Sequence, residues 1–248
     1  MANFKLTVAY DGTNFCGWQA QTGQRTAQAA VEKAWQELTG EQVRVTATSR
    51  TDSGVHAHGQ VVGVETATQI PANKLLTGMN AKLPEDVLVR SVEEAPDGFH
   101  ATYNSIGKRY RYQLHNDRRR PLFDRPYVWQ IPQPLNVEAM HRAAQALVGT
   151  HDFVSFQSVG SERESTVRTM FAVEVTQGRG EASSQIWIEV EGDGFLYNMV
   201  RAIVGTLIPV GIGRKPESWI AEVLAAKDRQ AAGQTAPPQG LFLLYANY

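Results

Sequence analysis

The chain has 248 residues and a formal net charge of −1, with 42% hydrophobic and 20% charged residues. These values are typical of soluble globular proteins, and the near-neutral charge means that any nucleic-acid site must come from local clustering of basic residues. The single cysteine, Cys16, excludes an intramolecular disulfide and any cysteine cluster for zinc or iron–sulfur. One thiol also fits a reducing compartment.

The N-terminus enters a strand pattern at once, which is not the pattern of a signal peptide. The most apolar stretch, residues 199–213, contains Arg201 and Pro209 and is too short to cross a bilayer. We therefore expect a cytoplasmic protein without a membrane segment.

The first half alternates strand and helix patterns. The expected strands are 4–10, 42–48, 60–66 and 87–92; the expected helices are one that begins after Thr26 and ends at Gly40, and a second over 71–81. A polar loop, 11–25, carries Phe15 and Trp18, which either anchor it to the core or line a site. The order β-α-β-β-α-β is ferredoxin-like, and many RNA-binding modules share it.

An acidic residue, Asp52, lies between strands 42–48 and 60–66, close to Arg50 and a Ser53-Gly54 turn signal. The pattern indicates a carboxylate at a strand end, on a tight turn that can face a cleft. The alternative is that Asp52 bonds the backbone of its own turn. The segment alone favours that alternative.

The second half begins with strand 108–114, in which Tyr110, Tyr112 and Leu114 share one face. Residues 108–125 hold seven Lys or Arg against two Asp, which predicts either phosphate contact or a solvated surface. Further elements are expected as a helix after Asn136, a polar loop at 157–165, strands 172–175 and 185–190, helices opening at 194 and 216, and a last strand 241–245.

The helix opening at residue 194 is apolar on nearly all sides, so we expect it to be buried. Its arginine, Arg201, then needs a partner, because an uncompensated buried charge costs several kcal/mol. Backbone carbonyls or a nearby glutamate would serve structurally, and a catalytic carboxylate would serve functionally. His56 and His58 alternate onto one face, but two histidines without a third ligand do not predict a metal site. We expect His151 and Asp152 to be structural.

Several segments resemble the TruA family of tRNA pseudouridine synthases. They are Tyr10-Asp11-Gly12-Thr13, Gly17-Trp18-Gln19, Ser-Arg-Thr-Asp-Ser-Gly-Val-His-Ala-His-Gly-Gln at 49–60, Phe99-His100-Ala101, Gly-Thr-His-Asp-Phe-Val-Ser-Phe at 149–156, Met199-Val200-Arg201 and Val204-Gly205. The chain departs from the family pattern at Ala29 and Ser49, which are usually glycine, at Thr102, usually arginine, and at Asn198, often histidine.

The resemblance implies an α+β fold of two ferredoxin-like subdomains, residues 1–105 and 106–248. Their mostly antiparallel sheets would join into one extended sheet flanked by helices, with a central RNA-binding cleft. It implies an isomerase that converts uridine to pseudouridine at tRNA positions 38, 39 and 40 in the anticodon stem-loop. The enzyme would be a homodimer that uses no cofactor and no metal.

The resemblance also implies site roles. Asp52 would be the nucleophile or base at C1′, and Tyr110 would stack on the uracil. Arg50 would fill the space of the flipped nucleotide or pair with its phosphate, and Arg201 would keep Asp52 ionised. Two other functions stay open: a non-catalytic RNA-binding module, and a hydrolase that uses the same carboxylate to release uracil.

Overall fold

A computed structural model describes residues 1–158, 160 and 165–248. The chain forms two compact units, one of Met1–Ile106 with Phe242–Tyr248 and one of Gly107–Leu241. Both contain strands and helices, so the predicted α+β class is confirmed. Part of the expected polar loop at 157–165, namely residues 159 and 161–164, lies outside the described residues.

The first unit has the predicted β-α-β-β-α-β order. Its elements are β1 (Ala2–Tyr10), α1 (Ala27–Thr39), β2 (Thr46–Ala47), β3 (His56–Thr66), α2 (Ala72–Lys82) and β4 (Val87–Glu94). β1 pairs antiparallel with both β3 and β4, and β2 pairs antiparallel with β3. The order β4-β1-β3-β2 is that of a ferredoxin-like sheet.

The ends of α1 follow from the sequence alone. The Thr26 hydroxyl accepts a hydrogen bond from the Ala29 amide, and Gly40 ends the helix with a positive φ of 79°. Between these caps, Val31 and Trp35 are fully buried on the predicted stripe. The capping residues therefore fix the helix at both ends.

Strand β2 is much shorter than the expected strand 42–48. The Val45 amide donates to the Glu32 side chain at 3.1 Å, and the Val45 carbonyl accepts from Gln28. Side chains of α1 thus take the backbone groups that a longer strand would give to its ladder. Gln28, 2% exposed, also accepts from Gln19 and from the Ala20 amide, which ties the loop before α1 to the same helix.

The second unit contains β5 (Gly107–His115), β6 (Trp129–Gln130), α3 (Val137–Ala144), β7 (Gly149–Asp152), β8 (Val167–Gln177), β9 (Gln185–Gly192), α4 (Met199–Gly211) and α5 (Trp219–Ala226). Strands β5, β9, β8 and β7 pair antiparallel in that order, and β6 pairs parallel with the end of β5. The final strand, β10 (Leu241–Asn247), pairs parallel with the start of β3.

The sheet of the second unit has one apolar face and one charged face. The apolar face presents the buried residues Tyr110, Tyr112 and Leu114 of β5, Ile186, Ile188 and Val190 of β9, and Val173 and Val175 of β8. The strand pattern of alternating residues therefore predicted the buried face of β5 correctly.

Helix α4 begins later than the expected start at residue 194. Asn198, immediately before it, has φ 59° and ψ 11°, a left-handed conformation that a right-handed helix cannot contain. From Met199 onward nearly every residue is buried, as predicted. Within the described part of the chain, no helix combines the length and apolar character needed to cross a membrane.

Candidate active site

The loop that carries Asp52 joins β2 to β3. Asp52 is half-buried, and the turn at Ser53-Gly54 follows it directly. The Val55 amide donates to the Asp52 carbonyl at 3.1 Å, which closes this turn. The predicted position of the carboxylate, on a tight turn just before a strand, is therefore confirmed.

The loop before α1 forms backbone hydrogen bonds with the Asp52 loop. The Trp18 amide donates to the Thr51 carbonyl at 3.0 Å, and the Gly54 amide donates to the Phe15 carbonyl at 3.3 Å. The rings of Phe15 and Trp18 are 2% exposed, so they anchor their loop in the core. The main chain on both sides of Asp52 is thereby fixed.

Gly17 allows the two loops to approach so closely. A Cβ atom at Gly17 would lie 2.6 Å from the Thr51 carbonyl oxygen, and φ at this residue is +82°. Both the contact and the backbone conformation require glycine. The Gly17-Trp18 pair of the sequence thus serves to place the backbone of the aspartate loop.

A buried glutamine, which the sequence analysis missed, clamps the loop upstream of Asp52. Gln60 of β3 donates to the Ser49 carbonyl at 2.6 Å and accepts from the Ser49 amide at 3.2 Å. Gln60 is 0% exposed and has apolar neighbours along β3. A glutamine within an apolar strand indicates a buried side chain with a hydrogen-bond partner, and this signal was present in the sequence. The clamp uses only backbone atoms of Ser49, so serine in place of the family's glycine leaves it intact.

Arg50 is exposed and lies two residues before Asp52. Its guanidinium makes no ion pair or hydrogen bond with any residue that the structure describes. An unpaired arginine beside a half-buried carboxylate can bind an anion such as phosphate without first breaking a protein contact.

Tyr110 lies on the apolar face of the second unit's sheet and is 7% exposed. Phe195 meets its ring edge-on, with centroids 5.1 Å apart and planes at 81°. The neighbouring Tyr112 is fully buried and donates its hydroxyl to the Pro237 carbonyl at 2.7 Å. Burial raises the pKa of Tyr112 far above its ordinary value, so its hydroxyl stays protonated.

Arg201 is half-buried near the start of α4. Its Nε donates to the Ala236 carbonyl and its Nη1 donates to the Asn198 side-chain oxygen, both at 2.7 Å. These two contacts orient the guanidinium. A backbone carbonyl was one of the possible structural partners of Arg201 in the sequence analysis, and the Ala236 carbonyl is such a partner. Asn198, where the family often has histidine, supplies the other contact.

The basic run at 108–125 divides into two parts. On the charged face of the sheet, Arg109 contacts Glu174, Glu189 and Glu191, and Arg111 contacts Glu189 at 2.6 Å. Burial is the largest single influence on the pKa of Arg109 and lowers it, but the hydrogen bonds and charges of these glutamates together raise the pKa above its ordinary value. This part of the run is therefore neutralised by the protein itself, and phosphate contact stays a prediction for the exposed arginines beyond β5.

The two histidines of β3 have structural neighbours. The rings of His56 and His58 both stack on Phe242, with centroids 4.5 Å and 5.3 Å away. His56 Nδ1 also accepts from the Gly12 amide at 3.0 Å. No group of three or more metal-ligating side chains occurs in the ranges 1–158 and 165–248.

His151 and Asp152 have the hydrogen-bond partners of structural residues. His151 bonds the Val148 carbonyl at 3.0 Å. The Asp152 carboxylate accepts from the Thr166 hydroxyl at 2.5 Å and pairs with Lys227 at 3.2 Å. The pKa of Asp152 is lowered chiefly by the Thr166 hydrogen bond.

Substitution of Thr166 by valine should raise the pKa of Asp152 toward its ordinary value of 3.8. A depressed carboxyl pKa stabilises the fold above the ordinary pKa, and this contribution is lost as the pH falls through the folded-state value. The variant should therefore lose part of this stabilisation at neutral pH. An NMR titration of the Asp152 carboxyl carbon measures the shift, and an unchanged pKa would contradict the assigned cause.

Comparison with known proteins gives the class of the chain. The family profile described as "tRNA pseudouridine synthase" matches residues 6–104 and 143–248. "tRNA pseudouridine synthase A" of Thermoanaerobacter sp. (strain X514) is 45% identical over 248 residues, with 100% of both chains covered. "tRNA pseudouridine synthase A 1" of Bacillus cereus (strain ATCC 14579) is 43% identical over 249 residues, with 100% of this chain and 99% of the relative covered.

Among solved structures, a chain of "Crystal Structure of a Cbf5-Nop10-Gar1 Complex" is similar over 96% of this chain and 57% of its own length, at 13% identity and a TM-score of 0.38. That score is too low to support an argument. The family profile and the full-length relatives define an isomerase that makes pseudouridine in tRNA. The chain belongs to the TruA family of tRNA pseudouridine synthases.

Proposed function

We propose that the protein isomerises uridine to pseudouridine at tRNA positions 38, 39 and 40, with Asp52 acting at C1′ of the target nucleotide. The observation that carries the assignment is the geometry of the Asp52 loop. Asp52 is half-buried, and backbone hydrogen bonds hold the main chain on both sides of it. A group that reacts must hold its position, and this loop is preorganised without help from the substrate.

The chemistry requires few groups. The N1–C1′ bond breaks, the uracil turns, a bond forms between C5 and C1′, the C5 proton leaves, and N1 takes up a proton. There is no net oxidation, and every atom of the product other than exchangeable hydrogen comes from the substrate. A carboxylate next to C1′, as nucleophile or as base, together with a pocket that retains the detached uracil, is sufficient.

We assign the remaining roles from the chemistry of each side chain. The base must leave the helical stack, which costs a few kcal/mol. Arg50, exposed and without a protein partner in the described ranges, binds the displaced phosphate or fills the vacated space. Arg201, which the Ala236 carbonyl and the Asn198 side chain orient, keeps Asp52 ionised through its positive charge.

Tyr110 stacks on the uracil. Phe195 holds the ring edge-on, so its orientation is defined before RNA binds. The stacking proposal requires RNA binding to uncover more of this ring than the 7% exposed in the structure. We further propose a cytoplasmic homodimer, with the aspartate in a subdomain of residues 1–105 and the tyrosine and arginine in one of residues 106–248.

Two replacements of Tyr110 separate its ring from its hydroxyl. Tyr110→Phe should bind tRNA as tightly as the wild type, because the stacking surface is retained, and any fall in kcat then measures the hydroxyl. Tyr110→Leu keeps an apolar side chain but loses base stacking, which is worth ~1–3 kcal/mol per base. Its Kd for tRNA should rise about five- to 150-fold. Equal tRNA affinity of the leucine and phenylalanine variants would contradict the stacking role.

One assay separates the isomerase from the two alternatives. tRNA labelled with tritium at uracil C5 is incubated with the protein, and both tritium release and free uracil are measured. The isomerase releases tritium while the base stays attached to ribose. A hydrolase liberates labelled uracil, and a binding module releases neither. Liberation of uracil in step with turnover would refute the proposed reaction.

A further inference from the structure

A pair of stacked rings, one half-buried and one exposed, lies just beyond the first ferredoxin-like motif. The rings of His100 and Tyr103 are 4.2 Å apart with planes at 28°. Although one face of its ring lies against His100, the Tyr103 side chain is 83% exposed. The outer face of the Tyr103 ring is therefore accessible to a ligand.

Hydrogen bonds within the turn hold this pair in place. The Asn104 side chain accepts from the His100 amide at 2.7 Å, and the Asn104 amide donates to the His100 carbonyl at 3.0 Å. His100 Nδ1 accepts from the amides of Thr102 at 3.2 Å and Tyr103 at 3.4 Å. The imidazole is thus oriented by the backbone, and the stack is formed before any ligand binds.

The same turn is attached to the strand that leads into the Asp52 loop. The Thr102 hydroxyl donates to the Ala47 carbonyl at 2.7 Å, and the Ala101 amide donates to the Thr46 hydroxyl at 3.4 Å. Thr46 and Ala47 constitute β2, and the loop that carries Arg50 and Asp52 starts at the next residue. The aromatic pair and the aspartate loop therefore flank one short strand.

We propose that the His100–Tyr103 stack binds an unpaired loop nucleobase of the RNA substrate, in the same stem-loop as the uridine that is isomerised. This inference rests on the proposed action in the anticodon stem-loop. An aromatic face accepts any base, because every base has a π-face, and a preformed platform loses little entropy on binding. A paired base inside a helix exposes no face, so the stack selects unpaired loop nucleotides.

The contact should differ from a phosphate contact in its response to salt. The chain has Thr102 where the resemblance predicts arginine, and its hydroxyl is used internally. Base stacking releases no counterions, whereas a lysine or arginine on a phosphate reduces affinity as salt rises. Loss of Tyr103 should therefore weaken binding by the same factor at low and high salt, while loss of Arg50 should flatten the salt dependence.

The test compares the Tyr103→Ala and Tyr103→Phe variants with the wild type. Leu88 is a half-exposed apolar residue of β4, and Leu88→Ala serves as the matched control. The KM and kcat for tRNA are measured, with Kd for the isolated anticodon stem-loop and for a duplex of equal length. We expect Tyr103→Ala to raise KM and the stem-loop Kd about five- to 150-fold, with kcat and duplex affinity unchanged. Tyr103→Phe should restore both values, and Leu88→Ala should change neither.

An unchanged KM in Tyr103→Ala would overturn the inference. So would a Tyr103→Phe variant that binds the stem-loop as weakly as Tyr103→Ala does. So would an altered oligomeric state in sedimentation with unchanged stem-loop affinity, because the rings would then contact a second copy of the chain. Failure of the proposed function is distinguishable, since the wild type itself would then form no pseudouridine at positions 38 to 40.

Discussion

Asp52→Asn is expected to lower the single-turnover rate of pseudouridine formation by about 10⁴-fold or more, the scale of loss when a covalent nucleophile is removed. An amide cannot attack C1′ or accept a proton there as a carboxylate does. The Trp18–Thr51, Gly54–Phe15 and Val55–Asp52 backbone bonds do not involve the exchanged atoms. The variant should therefore fold normally and bind tRNA.

The control for this substitution is Asp97→Asn, which makes the same exchange at an exposed carboxylate whose neighbour is Asn3. Rates are obtained by nucleoside analysis of tRNA incubated with excess enzyme, and binding by titration of labelled tRNA. The Asp97 variant should keep the wild-type rate to within about twofold. A slow Asp52 variant that also failed to bind tRNA would point to a folding or binding defect and contradict the catalytic role.

Gly205→Ala is expected to destabilise the second unit by about 3 kcal/mol, at the upper end for overpacking in a core. Gly205 lies in α4, where a Cβ atom would stand 1.7 Å from the Gln234 carbonyl oxygen. The obstacle is backbone, so the segment itself must move. That segment supplies the Ala236 carbonyl to Arg201, and tRNA turnover should fall with stability.

Gly78→Ala in α2 is the matched control. Its added Cβ would meet Leu38 Cδ1 at 2.6 Å, but this atom is the far end of a flexible side chain, and alanine is favoured over glycine inside a helix by about 1 kcal/mol. Urea unfolding followed by tryptophan fluorescence gives the free energy of unfolding of each variant. Equal losses in the two variants would contradict the assignment of the larger cost at Gly205 to the close backbone approach.

Elements governed by local rules could be predicted to the residue. Thr26 and Gly40 cap α1 through bonds within a few residues, so the sequence suffices for both ends. The late start of β2 could not be predicted, because the groups that take the Val45 backbone bonds are side chains of α1. The left-handed backbone of Asn198, which delays α4, was likewise not predicted, because asparagine tolerates this conformation but does not require it.

The features of the site also divide into those set by local sequence and those set by residues distant in the chain. The turn after Asp52 was readable from Ser53-Gly54, since such turn chemistry is local. The neutralisation of Arg109 depends on the register between β5 and β9, which are 80 residues apart in sequence at the Arg109–Glu189 contact. The Gln60 clamp also joins residues on two sides of a loop. The roles of Asp52, Tyr110, Arg50 and Arg201 came from the family resemblance, since no local pattern encodes them.

The most direct test is a nucleotide-resolved map of pseudouridine in unmodified tRNA after incubation with the wild-type protein and with Asp52→Asn. The wild type should convert uridines at positions 38, 39 and 40 and no others, and the variant should leave them as uridine. Conversion by the variant at the wild-type rate, or conversion confined to nucleotides outside the anticodon stem-loop, would contradict the assignment.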